Sequence, residues 1–170
     1  MPVPACPAPP SRGVFSFEEI PMAQAKTFRF SDVMILLGDG ATPTEVFAAP
    51  CGLTELGMTI ASDTNESIIP DCDNPDDPAW KITDITALQM TLSGQGVLDR
   101  TARKTWEDWA FGGTEKTVRW VYDVTAADFG GYYQAPAILT SYQVTAQRGQ
   151  RATVQIAITL NGKPAWTAAV

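Results

Sequence analysis

Residues 80–124, WKITDITALQMTLSGQGVLDRTARKTWEDWAFGGTEKTVRWVYDV, carry the pattern that decides the fold. From Leu88 the chain alternates, with Leu88, Met90 and Leu92 on one face and Gln89, Thr91 and Ser93 on the other. A period of two marks a half-buried strand. Ser93-Gly94-Gln95-Gly96 predicts a break, after which Asp99 offers a side-chain acceptor to the free N–H groups of a helix start. Leu98, Ala102, Trp106, Trp109 and Ala110 then recur at helical spacing, while Arg100, Arg103, Lys104, Glu107 and Asp108 mostly turn outward. Leu98, Ala102, Trp106 and Trp109 are the predicted core of this helix. Gly112-Gly113 predicts a left-handed stop. Val118, Trp120, Tyr122 and Val124 next alternate with Thr117, Arg119, Val121 and Asp123, so a strand follows. No other stretch carries a comparable helical pattern, and the rest reads as sheet or loop.

Upstream, residues 1–21 hold five prolines in the first ten positions and no periodicity, which predicts a disordered tail rather than a docking arm. Glu18-Glu19-Ile20-Pro21 also precedes Met22, and Glu-Glu codons can spell a purine-rich ribosome-binding signal at sensible spacing. Residues 1–21 then lie ahead of a true start at Met22, and the folded domain runs over 22–170. Phe28 and Phe30 alternate with Thr27 and Arg29, Val33 to Leu37 is apolar, and Gly38-Asp39-Gly40 is a turn. Glu45, Val46 and Phe47 predict a short strand. Residues 53–79 read as a long acidic loop with two apolar patches, Leu56/Met58/Ile60 and Ile68/Ile69.

Downstream, Thr125–Gly131 is a polar turn. Ile138–Ala146 alternates, with Ile138, Tyr142 and Val144 opposed to Leu139, Ser141, Gln143 and Thr145. Gln147-Arg148-Gly149-Gln150 is a hairpin loop. Ala152, Val154, Ile156, Ile158 and Leu160 then alternate cleanly with Arg151, Thr153, Gln155, Ala157 and Thr159. Asn161-Gly162 turns the chain into an edge strand or arm. The polar faces are dominated by uncharged Thr, Gln and Ser, where a water-facing sheet ordinarily carries Lys and Glu. Such faces meet another subunit or line an enclosed space.

The chain has 170 residues, enough for one domain with a sizeable core, and 45% of them are hydrophobic. No apolar run approaches the ~20 residues that span a bilayer, so no membrane partner is expected. Three cysteines exclude a complete disulfide framework and fit assembly in a reducing cytoplasm. Histidine is absent, which removes Ser-His-Asp and Cys-His chemistry and histidine-ligated zinc. No catalytic residue and no cofactor are expected.

The formal charge of -7 is concentrated rather than spread. Asp63, Glu66, Asp71, Asp73, Asp76 and Asp77 lie within residues 63–78, which hold no Lys or Arg. Taking those six from the chain's 19 acidic residues leaves 13 against 12 basic ones, a nearly neutral body. No basic nucleic-acid-binding face is visible. Asp71, Asp73 and Asp76 approach the spacing of a calcium loop, but position twelve from Asp71 is Ile82 rather than Glu, so a solvated loop is the expectation. Cys51 and Cys72 read as a buried thiol pair.

The run IPDCDNPDDPAW (69–80), the strand after it, SGQGVLD (93–99), the Trp106/Trp109 helix and KTVRW (116–120) together resemble a phage major tail tube protein. The related group includes tube proteins of long non-contractile tails and of gene transfer agents. The resemblance covers roughly Met22 to Val170, and its ordered combination of motifs carries it. It implies a mainly β fold, two packed antiparallel sheets in a sandwich or barrel with one flanking α-helix. It further implies hexameric rings that stack into a virion tail tube, assembled in the host cytoplasm with tape-measure and tail terminator proteins and carrying DNA only in transit. The nearly neutral body departs from the acidic lumens common in such tubes. On this footing Asp63, Glu66, Asp71, Asp73, Asp76, Asp77, Arg148, Arg151, Thr153 and Gln155 are candidates for contacts between subunits. A calcium- or carbohydrate-binding β-sandwich is the alternative, and an enzyme built on paired carboxylates is a third class.

Overall fold

In the computed structural model, which describes residues 25–74 and 76–170, the clean alternation at residues 153–160 becomes an interior strand of the sheet. Eight strands form: β1 (Val33–Gly38), β2 (Phe47–Ala48), β3 (Leu53–Ile69), β4 (Trp80–Val97), β5 (Lys116–Tyr122), β6 (Gly131–Thr145), β7 (Thr153–Leu160) and β8 (Ala165–Ala168). The single α-helix among the described residues, α1, spans Arg100–Gly112. The hydrogen-bonded order is β2-β1-β5-β6-β7-β4-β3, all antiparallel, with β8 pairing the start of β6. The two layers are thus parts of one continuous path that folds over until β1 and β3 approach each other. Mainly β with one flanking helix is the fold class the residue pattern predicts.

The core lies between these layers and under the helix. Ile35 and Leu37, Met90 and Leu92, Val118 and Trp120, Ala135 and Ala137, and Val154, Ile156, Ile158 and Leu160 join Ala102, Trp106 and Trp109 in one buried cluster. Trp106 and Trp109 are each 1% exposed and stack at 6.1 Å between ring centroids. Leu98 is half-buried against them, whereas Ala110 is exposed. The predicted helix core of Leu98, Ala102, Trp106 and Trp109 therefore packs as a unit. The helix ends also follow the sequence. Asp99 accepts N–H bonds from Thr101 and Ala102, and Gly113 closes the C-terminus at φ 58°.

Four local expectations are corrected. Residues 26–30 form no strand, because Asp32 accepts the Arg29 N–H at 2.7 Å and closes a 3-10 turn over Phe30–Asp32. Gly94-Gln95-Gly96 is not a break, since β4 runs through to Val97. Gly96 is needed there because a Cβ would sit 2.7 Å from the Leu53 Cα, inside the backbone of β3. In β6 a bulge between Leu139 and Ser141 shifts the phase. Ala135, Ala137 and Leu139 face the core, and after the extra residue Tyr142 does, so Ile138 is not on the Tyr142 side.

The fourth correction is the largest. Residues 53–69 of the expected loop are strand, and only 70–79 link β3 to β4. The Ser, Asp, Asn and Glu of residues 62–67 have poor strand propensity. They are held by a ladder to β4, from Ser62↔Leu88 through Ile69↔Trp80, interrupted once by a bulge that leaves Thr86 unmatched. Two strands of 17 and 18 residues make a hairpin about 55 Å long. Its outer half packs on nothing else in the described chain, and every described residue from Thr59 to Gln89 is exposed. We call this outer half the arm. The predicted N-terminal segment 1–21 and the Met22 start lie outside the described residues.

Candidate assembly surfaces

The arm carries the acidic run to its far end. Asp63 and Glu66 lie on β3, while Asp71, Asp73, Asp76 and Asp77 lie in the turn, all exposed. Glu66 is ion-paired across the hairpin with Lys81 at 2.6 Å, and both side chains stay more than half exposed, so the pair contributes little. Asp71 accepts the Asp73 N–H at 2.9 Å, which shapes the turn. No three His, Cys, Asp or Glu side chains converge on a metal-sized point among the described residues. Cys51 and Cys72 are corrected as well: both are free and exposed. They sit at opposite ends of β3, too far apart to form the buried pair.

Arg148 and Arg151 lie at the other end of the long hairpin. They occupy the β6–β7 turn, beside the end of β4, where Thr153 pairs with Val97. Acidic tip and basic turn are therefore separated by nearly the length of β4, and neither arginine makes an ion pair among the described residues. The molecule is electrically polar along one strand.

The uncharged face predicted from Thr and Gln exists and is ordered in rows. Gln95, Gln155 and Gln143 face one another across β4, β7 and β6, with Gln155 Nε2 donating to Gln95 Oε1 at 2.9 Å. Beside them lie Thr145, Thr153 and Val97, then Ser141, Ala157 and Ser93, then Thr159, Thr91 and Thr59. Glu55 at the β3 end of the glutamine row is the charged member of this set. Thr153 and Gln155 are exposed, yet β7 is flanked on both sides by β6 and β4. The strand Ala152–Leu160 therefore cannot extend a neighbour's sheet through its edge. Among the described residues the free edges belong to β3, β2 and β8, to β4 over residues 80–90 and to β1 over residues 33–36.

Sequence reasoning missed a second face, on the outside of β1, β5 and β6. Arg119 lies there with Leu36 and Gln134 as its register partners. Its guanidinium is 3.5 Å from the Phe47 ring centroid and 4.4 Å from that of Tyr132. Its Nε donates to Gln134 Oε1 at 2.7 Å. Met34, Leu36 and Val121 surround it, all half-buried. A β-strand pattern that places one arginine between Thr117 and Val121 was the available clue. Elsewhere, Lys26 bridges to Asp128 at 2.6 Å, and this bond together with Thr125 holds the Asp128 carboxyl below the usual range. Burial pushes the Tyr142 phenol up.

The sequence matches the phage tail tube protein model over residues 27–165, and the chain belongs to that family. It is a structural tail tube protein rather than an enzyme. No match appears among curated protein sequences. Among solved structures, the fold is similar to a chain from the tail of an empty gene transfer agent particle, computed by helical refinement with C6 symmetry. That match has a TM-score of 0.65 at 19% identity over 84% of this chain and 100% of the other. A chain of a native gene transfer agent virion gives 0.63 at 18% identity over 84% and 100%. The SPP1 tail tube, solved by solid-state NMR and cryo-EM, gives 0.59 at 13% identity over 85% and 81%.

Proposed function

We propose that this protein is the repeating subunit of a tail tube, forming hexameric rings that stack head to tail and conduct DNA from a phage or gene transfer agent particle. The observation that carries this reading is the arm, a long hairpin whose described residues 59–89 are exposed and pack on nothing else in the described chain. Heterologous contacts of this kind close rings or extend filaments. Along the axis, the arm has the reach to touch the next ring, and the tip acids meet Arg148 and Arg151 of the subunit there. Each such pair contributes about 0–1 kcal/mol, but sixfold repetition sets register. Around the ring, the free edges of β3, β2 and β8 pair or are covered by neighbours.

The Thr/Gln rows line the lumen. Passing DNA meets hydroxyls and amides there instead of the Lys and Arg that would release counterions and hold it. The tape-measure and tail terminator proteins are the expected partners inside and at the end of the tube. The site of action is the virion tail, after assembly in the host cytoplasm. Negative-stain microscopy of the purified protein tests this reading. Wild type should give tubes, and deletion of residues 63–78 should leave a folded monomer without tubes. Normal tubes from the deletion would remove the axial role of the arm.

A further inference from the structure

The arm has two faces, and they differ. Directly opposed residues of an antiparallel pair share a face. One face therefore holds Ile68 with Lys81, Glu66 with Thr83, and Thr64 with Ile85, its charges already matched by the Glu66–Lys81 pair. The other holds Ile69 with Trp80, Ser67 with Ile82, and Asn65 with Asp84. On this second face Trp80 is 86% exposed, Ile69 and Ile82 are also exposed, and Asp84 makes no ion pair among the described residues. It is an apolar surface with two unmatched carboxylates, Asp84 at its centre and Asp63 at its inner end on β3.

The outer sheet face around Arg119 is the complement: Met34, Leu36, Val121, Phe47 and Tyr132 surround one guanidinium. Two rings and the Gln134 amide fix that group in place, and among the described residues it has no carboxylate partner. A pre-ordered arginine loses little freedom on accepting a planar carboxylate. An arginine ringed by aromatic and aliphatic groups also has the make-up of an interface hot spot. The two surfaces lie on the same chain, and each lacks there what the other offers.

We propose that the Trp80/Ile82/Asp84 face of one copy's arm seats on the Arg119 face of a second copy, with Asp84 accepting the guanidinium. This rests on the reading of the arm as the contact between rings, and it assigns the surface that receives it. The tip acids remain available to Arg148 and Arg151.

Charge exchange tests it. Asp84→Lys and Arg119→Glu, each alone, should raise the protein concentration needed for tube formation by about tenfold or more, since breaking a desolvated charge pair is costly. The double variant Asp84→Lys/Arg119→Glu should recover most of that loss. Thermal unfolding of each monomer controls for folding. If Arg119→Glu fails to fold, Arg119→Gln with Asp84→Asn supplies the same cycle, with coupling between the two changes expected. Tubes unaffected by Asp84→Lys, or losses that merely add in the double variant, overturn the pairing. Loss of tubes on deleting 63–78 alongside unaffected point variants would leave the arm's axial role and remove this seat alone. Tubes from the deletion would remove both.

Discussion

The body and the arm are built from the same two strands under opposite rules. In its last eight residues β4 places Met90 and Leu92 in the core and runs through Gly94 and Gly96, with β7 and β3 on either side. In its first eight it has β3 alone for a neighbour, and Trp80, Ile82 and Ile85 face solvent. A two-stranded ribbon is marginal by itself in water. The arm is held by its ladder and by continuity with the body, so its apolar side chains are free to contribute to association instead of to folding. Folding energy is concentrated in one half of the hairpin, and on the proposed function assembly energy in the other.

That contrast is sharpest at the helix. Trp106→Ala should destabilise the monomer by about 3–5 kcal/mol in denaturant unfolding, because it empties a wholly buried indole site. A small effect would mean that the body does not depend on its tryptophan layer. Gly96→Ala is next, at about 1–3 kcal/mol, since its Cβ meets the backbone of Gly52–Thr54 and no flexible side chain can yield. A neutral result would show that β3 and β4 are not in close contact at the end of the hairpin farthest from the arm.

Asp99→Ala should lower the melting temperature at neutral pH by less than either. The Ala102 and Thr101 N–H bonds hold the Asp99 carboxyl below its ordinary 3.8, so its stabilisation is present above that value. It is lost as pH falls through the depressed folded value, and the gap between wild type and variant should close in that acid range. A gap that persisted unchanged well below pH 3.8 would exclude the capping role. The smallest effect on folding belongs to the arm. Ile68→Ser should change monomer stability by no more than about 0.5 kcal/mol, the ordinary range for an exposed site. A large loss there would erase the division between arm and body.

The helix and its caps were legible because each depends on neighbours within four residues: Asp99 on Thr101 and Ala102, Gly113 on Trp109. β7 was legible because one strict alternation separates its buried and exposed faces. The uncharged surface followed from the same alternation. The hairpin was not, because Ser62–Ser67 are strand by virtue of pairing with residues twenty or so positions away. Nor was the phase of β6, where one bulge residue exchanges the faces.

What the sequence alone determined is therefore the local and the periodic: one capped helix, alternating strands, a displaced acidic run and the mainly β class. These follow from propensities and patterns that each segment carries within itself. Which strands adjoin, that β7 is interior, that the acids ride on a projecting arm, and that Arg119 stands clamped between Phe47 and Tyr132 were decided by tertiary structure. Phe47 and Tyr132 are 85 positions apart in the chain and reach Arg119 only through the β2-β1-β5-β6 pairing. Strand partners are chosen by long-range hydrogen bonding and burial, which no local window of residues contains.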